Sequence, residues 1–217
     1  IGKKRIDHVQ NMKDYFNDLL LEYDFYRQLD GYKIQIDGKW FQYKIVSGFN
    51  EITEHDEPGI KTIFVVLTIE GCHVFNTGLQ MMGKMANPME VLDNIDMVKK
   101  WEKRLFFVGL THHFNNELVG HAKSLHGIVA KVCDQSEGMN EGFSELGWKV
   151  LRKLLDKTNG PRILIDLKHM SVKSRNEYYH FLEKEHPNEI IPLICSHGAV
   201  NGFRSHAEQV EDDLFNY

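Results

Sequence analysis

Apolar positions along the chain fall into two periods, and the switch between them marks out the elements. From Asp7 to Leu29, Val9, Met12, Phe16, Leu19, Leu20, Tyr23 and Tyr26 recur at helical spacing. Lys33 to Tyr43 then alternates about Asp37-Gly38, a strong short signal for a two-residue hairpin turn. The acidic stretch Glu51 to Glu57, ending in Pro58-Gly59, reads as a loop. Beyond it, Lys61–Glu70, Leu105–His112, Arg162–His169 and Ile190–His197 are short apolar runs that predict buried strands. Helices are predicted between them. One begins at Pro88 and runs to about Arg104, with Val91, Ile95 and Val98 on one face. A second starts at Ser144 and stops before Asn159-Gly160, and a third is capped by Ser171 and closed by Pro187. Residues 72–87 and 113–141 have no clear period and read as loops, expected to be more mobile than the strands.

Strands alternating with helices predict parallel βαβ units, whose right-handed crossovers put all the strand C-termini on one face. Those four ends carry Glu70, His112, His169 and His197. Behind each, alternate residues share its side: Thr68, Val66 and Phe64; Leu110, Val108 and Phe106; Leu167, Ile165 and Ile163; Cys195 and Leu193. Mostly apolar inward rows, each finished by a polar residue, suit a filled barrel with a polar mouth. No repeat or linker splits the 217 residues, so one domain is expected: a helix-plus-hairpin insertion over 1–60, then consecutive β/α units over 61–217.

Composition narrows the function. Hydrophobic residues make up 42% and charged residues 26%, ordinary for a globular domain, and a net charge of -5 argues against nucleic acid as a partner. Tyr32, Trp40, Phe41 and Tyr43 have no basic residues interleaved on a face, so they read as core or hairpin packing rather than a base-stacking platform. No apolar stretch approaches the ~20 residues of a membrane span. Cys72, Cys133 and Cys195 are odd in number and far apart, which argues against a disulfide scaffold. The opening Ile1-Gly-Lys-Lys-Arg5 lacks a signal peptide's apolar core, so the cytoplasm is the expected location and the chain is expected to be a fragment or a processed form.

Imidazoles and a carboxylate at equivalent strand ends are the donors that zinc and similar divalent ions take. A metal would also explain a carboxylate set at the end of an apolar strand. Taken singly, Glu70 could be a helix-cap acceptor, and His112 or His197 a hydrogen-bonded core residue; their equivalent placement carries the case. Among the other histidines, His113 should point away from His112, and His121 and His126 should be solvated. His8, His55, His180, His186 and His206 have no apolar strand behind them. The chain contains no His-Glu-x-x-His, Gly-rich phosphate loop or Gly-x-Ser-x-Gly elbow.

Thr68-Ile-Glu70-Gly71, Gly109-Leu-Thr-His112, Gly142 to Leu155, Ile165-Asp-Leu-Lys-His169-Met-Ser171 and Ser196-His197 occur in order. Over about residues 60–200 the chain resembles the membrane (renal) dipeptidase family of zinc metallopeptidases. The resemblance implies a TIM-type (β/α)8 metallohydrolase barrel, incomplete here, since only four barrel strands are visible and such barrels typically take ~250 residues. It further implies that Glu70 bridges two zinc ions, that His169 and His197 bind the second, and that His112 contacts substrate. Arg204, the only arginine after His197, is the candidate for the substrate carboxylate. The family's His-x-Asp pair, which binds the first zinc, occurs nowhere in this chain, so at most one ion is expected and dipeptide hydrolysis by these 217 residues should be negligible. The expected activity of the parent protein is metal-dependent hydrolysis of dipeptides or related small amides, and a homo-oligomer is compatible with it. The alternatives are a noncatalytic barrel with a binding or structural role, and another amidohydrolase.

Overall fold

The hairpin forms where the alternation places it. In the computed structural model, which describes residues 13–53, 57–125, 129 and 133–198, β1 (Lys33–Ile36) and β2 (Lys39–Ile45) pair antiparallel. Asp37 and Gly38 between them have φ of 49° and 75°, the left-handed pair that a two-residue turn of this kind demands. β3 (Ile60–Val65) then adds to β2 in parallel, giving a three-stranded sheet in the order β1-β2-β3.

A second three-stranded sheet follows. β4 (Leu67–Glu70), β5 (Leu105–Gly109) and β6 (Leu164–Asp166) are all parallel, in the order β4-β5-β6, with Ile69, Val108 and Ile165 in register. These three side chains are 6%, 0% and 0% exposed and belong to one buried cluster. That cluster draws on four helices: α1 (Tyr15–Leu29), α3 (Pro88–Lys99), α4 (Glu145–Leu155) and α5 (Val172–Glu185). A short α2 (Phe49–Thr53) lies between the hairpin and β3. Full burial of one such aliphatic side chain stabilises by about 1.5–3 kcal/mol, so the cluster holds helices to sheet.

The helix starts are those the sequence marks. Ser144 accepts from the Gly147 amide at 2.9 Å and Ser171 from the Ser174 amide at 3.0 Å, satisfying donors that a first turn leaves free. Asn87 caps α3 ahead of Pro88 in the same way. Among the described residues, no helix is long and apolar enough to cross a membrane.

The (β/α)8 barrel that the resemblance implies is not formed among the described residues. They make a small α/β protein with two three-stranded sheets, and neither closes. Two departures account for this. The run 61–70, read as one strand, is two: Val65 still serves the first sheet, accepting from the Val46 amide, and the next strand begins at Leu67 with β5 as its partner. Val66, at the break, is 45% exposed and Thr68 is also exposed, so the row behind Glu70 faces outward. The run 190–197 contributes one parallel bridge, Ile194 to Asp166, with the Leu167 amide donating to the Ile194 carbonyl. Ile190 is 97% exposed there, so this segment is no buried strand.

Candidate metal centre

The second sheet nevertheless delivers its polar ends to one place. Glu70 is the last residue of β4, and Gly71 behind it has a φ of 108°. A Cβ at position 71 would fall 2.5 Å from His73 Nδ1, so glycine lets the chain turn there and bring His73 in underneath. His112 and His169 each lie three residues beyond their strands, β5 and β6. His169 itself has a φ of 64°, a left-handed conformation that costs a non-glycine residue about 1–2 kcal/mol. Its carbonyl is held by the Ala122 amide at 2.8 Å. His197 comes from the extended segment, which Asp166 ties down by accepting the Ser196 amide at 3.0 Å.

Three imidazoles converge on one carboxylate oxygen. The Nε2 atoms of His169, His112 and His197 lie 3.2, 3.4 and 3.5 Å from Glu70 Oε1. Two sets, Glu70/His169/His197 and His112/His113/His169, each have their donor atoms within 4.8 Å of one another. Donors about 2 Å from a tetrahedral zinc sit roughly 3.3–3.4 Å apart, so the widest pair of either set would have to close by at most about 1.5 Å to share one ion.

Burial sets the protonation. It lowers the His169 pKa to about 3, helped by the neighbouring His112 and opposed by the hydrogen bond to Glu70. His112 falls to about 4 through burial and the nearby His113. For Glu70, burial favours the neutral acid, but the His112, His169 and His197 rings outweigh it and hold the group below the usual carboxylate range. At neutral pH the site therefore presents the Glu70 carboxylate with uncharged imidazoles at His112 and His169, the form in which such groups bind a divalent cation.

The structure brings together Glu70, His112, His169 and His197, all four strand-end residues picked out from the sequence. Arg204 lies outside the described residues, as do His8, His55, His126 and His206. His113, expected to point away, does not. Its ring centroid is 3.6 Å from that of His112 and 4.8 Å from that of His169, and its Nδ1 meets Ser124 Oγ at 2.7 Å. The alternation argument assumed a strand through residue 113, but β5 ends at Gly109 and the rule lapses there. His121, expected to be solvated, is fully buried between the carbonyls of Ala122 and Glu137, 3.0 and 3.1 Å away. His73 was also missed; it sits edge-on to Tyr15, and burial lowers its pKa to about 4. The spacing Glu70-Gly71-x-His73 was its one visible signal.

A cleft of about 500 Å³ opens beside Glu70, lined also by His73, Thr68, Tyr23 and Trp101 but not by His112, His169 or His197. A larger groove, about 1030 Å³, runs between α4 and α5 past Trp148 and Phe181 and contains none of the clustered imidazoles. The chain matches no protein-family model and no curated protein sequence.

Proposed function

We propose that this protein is a metal-dependent hydrolase of dipeptides or related small amides, with zinc held by Glu70, His169 and His197. The observation that carries the reading is the convergence of imidazole Nε2 atoms on one carboxylate oxygen at a cluster of strand ends. Neutral nitrogen and anionic oxygen donors match zinc, and a set of three leaves room for a further ligand. When bound, such an ion supplies positive charge that polarises a carbonyl and acidifies water.

The chain's own residues do the rest. Glu70 brings the negative charge and faces the half-open side, with its side chain 55% exposed. His169 is nearly buried and is oriented by its strained, hydrogen-bonded backbone. His112 approaches the same carboxylate, and contact with a substrate oxygen is the role that the resemblance to the dipeptidase family gives it. The 500 Å³ cleft is in the size range of small-molecule sites and reaches the cluster at Glu70.

A second reading is favoured by one observation: no His-x-Asp occurs in the chain. On that reading the same residues hold a metal in a noncatalytic binding protein. Release of free amino acid from a dipeptide panel, with zinc and with chelator, separates the two. Chelator-sensitive turnover, by this chain or by a longer form that adds a His-x-Asp pair, that Glu70→Gln lowers by more than ~100-fold supports the hydrolase. Zinc binding without turnover by either form on any member supports the binding protein. Failure to bind zinc overturns both.

A further inference from the structure

Two of the imidazoles that flank Glu70, those of His169 and His197, are held differently, and the difference lies in what touches their far nitrogens. Asp166 ends β6 and is 3% exposed. Its Oδ1 accepts the Lys168 and Ser196 amides at 3.1 and 3.0 Å, and its Oδ2 lies 2.5 Å from Ser196 Oγ. Ser196 Oγ is in turn 2.8 Å from His197 Nδ1. An ionised carboxylate only accepts, so the single serine hydroxyl proton points to Asp166. Ser196 Oγ then has only lone pairs to offer, and His197 Nδ1 must be the donor. A neutral imidazole carries one N–H, which leaves Nε2 bare, 3.5 Å from Glu70 Oε1.

We propose that Asp166 and Ser196 are positioning residues that fix His197 in its Nδ1–H tautomer and aim the Nε2 lone pair at the Glu70 carboxylate. This rests on the reading of Glu70, His169 and His197 as cation ligands, because two acceptors facing each other gain from the pairing only when a cation lies between them. His197 needs such a relay. Its side chain is 52% exposed and comes from a segment with a single sheet bridge, so little else restrains the ring. His169 has no counterpart: it is nearly buried, its backbone is held, and its Nδ1 has no hydrogen-bond partner among the described residues. One ligand is thus oriented by its surroundings and the other through a carboxylate-hydroxyl-imidazole chain, an outer-shell arrangement that tunes metal-ligating histidines generally.

The relay can be read without any metal. In metal-free, ¹⁵N-histidine-labelled protein, His197 should show a protonated Nδ1 and a pyridine-type Nε2. Ser196→Ala should mix the two tautomers and weaken zinc binding about 10–100-fold, and Ser196→Thr, which keeps the hydroxyl, should restore both. Asp166→Asn gives a sharper signature. Its amide can donate to Ser196 Oγ, freeing the hydroxyl proton to point at His197 and shifting the ring toward the Nε2–H tautomer, which a merely structural role would not do. An Nε2–H tautomer in the wild-type protein overturns the proposal, and so does a Ser196→Ala protein whose tautomer is unchanged. If wild-type protein shows the Nδ1–H tautomer but binds no zinc, the relay stands and the metal reading fails alone.

Discussion

The two sheets have three strands each and little else in common. In the first, β1 is exposed along its length, and Ile34, Ile36 and Trp40 are 43%, 50% and 46% exposed. Its shape comes from a local instruction, the Asp37-Gly38 turn. In the second, Ile69, Val108 and Ile165 are at most 6% exposed, and pairing is enforced by burial against the helices. Glu70 ends a strand of the second sheet, His112 and His169 follow its other two strands, and His197 comes from the segment bridged to Asp166. A site needs its donors held to within a fraction of an ångström; strands locked by a packed core can do that, and a solvated hairpin cannot.

The contrast is broken most strongly by truncating one side chain in each sheet. Ile165→Ala should cost about 2–5 kcal/mol in urea unfolding, for lost burial plus a cavity. Ile34→Ala, half exposed, should stay within about 0.5 kcal/mol. Equal costs would mean that the hairpin is as much part of the core as β6.

The tie between the sheets comes next. Lys103, just before β5, reaches Asp30 at the end of α1 at 2.6 Å, and Asp30 also accepts the Ile45 amide at 2.7 Å. Both side chains are 15% exposed. Lys103→Met should cost about 1–3 kcal/mol near neutral pH. Burial works to raise the Asp30 pKa, but the Lys103 bond and the Ile45 amide leave it below its ordinary 3.8. A carboxylate depressed on folding contributes stability that is complete above its unfolded pKa and is lost as pH falls through the folded one. The deficit of Lys103→Met should therefore shrink below about pH 4, measured as the difference between the two unfolding curves.

The smallest expected effect is at His73. Burial, aided by the nearby His112, lowers its pKa from 6.5 to about 4. The unfolded chain therefore takes up that proton first, so the contribution is complete above pH 6.5 and declines as pH falls toward 4. His73→Phe should flatten the fall in unfolding free energy over that interval and leave neutral-pH stability nearly unchanged. An unaltered slope would mean that His73 is solvated.

The sequence was most informative where local chemistry decides. The Asp37-Gly38 hairpin, the helix start at Pro88 and the caps at Ser144 and Ser171 stand where turn, proline and capping residues put them. The convergence of Glu70, His112, His169 and His197 was also legible, because parallel strands share a direction and their ends a face. Closure into a barrel was not. It depends on which strand finds which partner, and nothing local in Phe64-Val65-Val66-Leu67 signals that pairing changes sheets there. His113, His121 and His73 were hidden for a related reason. They lie on turns and loops, where periodicity carries no information and tertiary contacts alone set direction.

The central claim is that Glu70, His169 and His197 form one cation site. Equilibrium dialysis of the purified protein against zinc, with Glu70→Gln and His169→Ala in parallel, tests it most directly. One zinc per chain is expected in the wild-type protein, with affinity reduced by more than ~100-fold in either variant, since each loses one of three direct ligands. Wild-type protein that binds zinc no more tightly than Glu70→Gln and His169→Ala would contradict it.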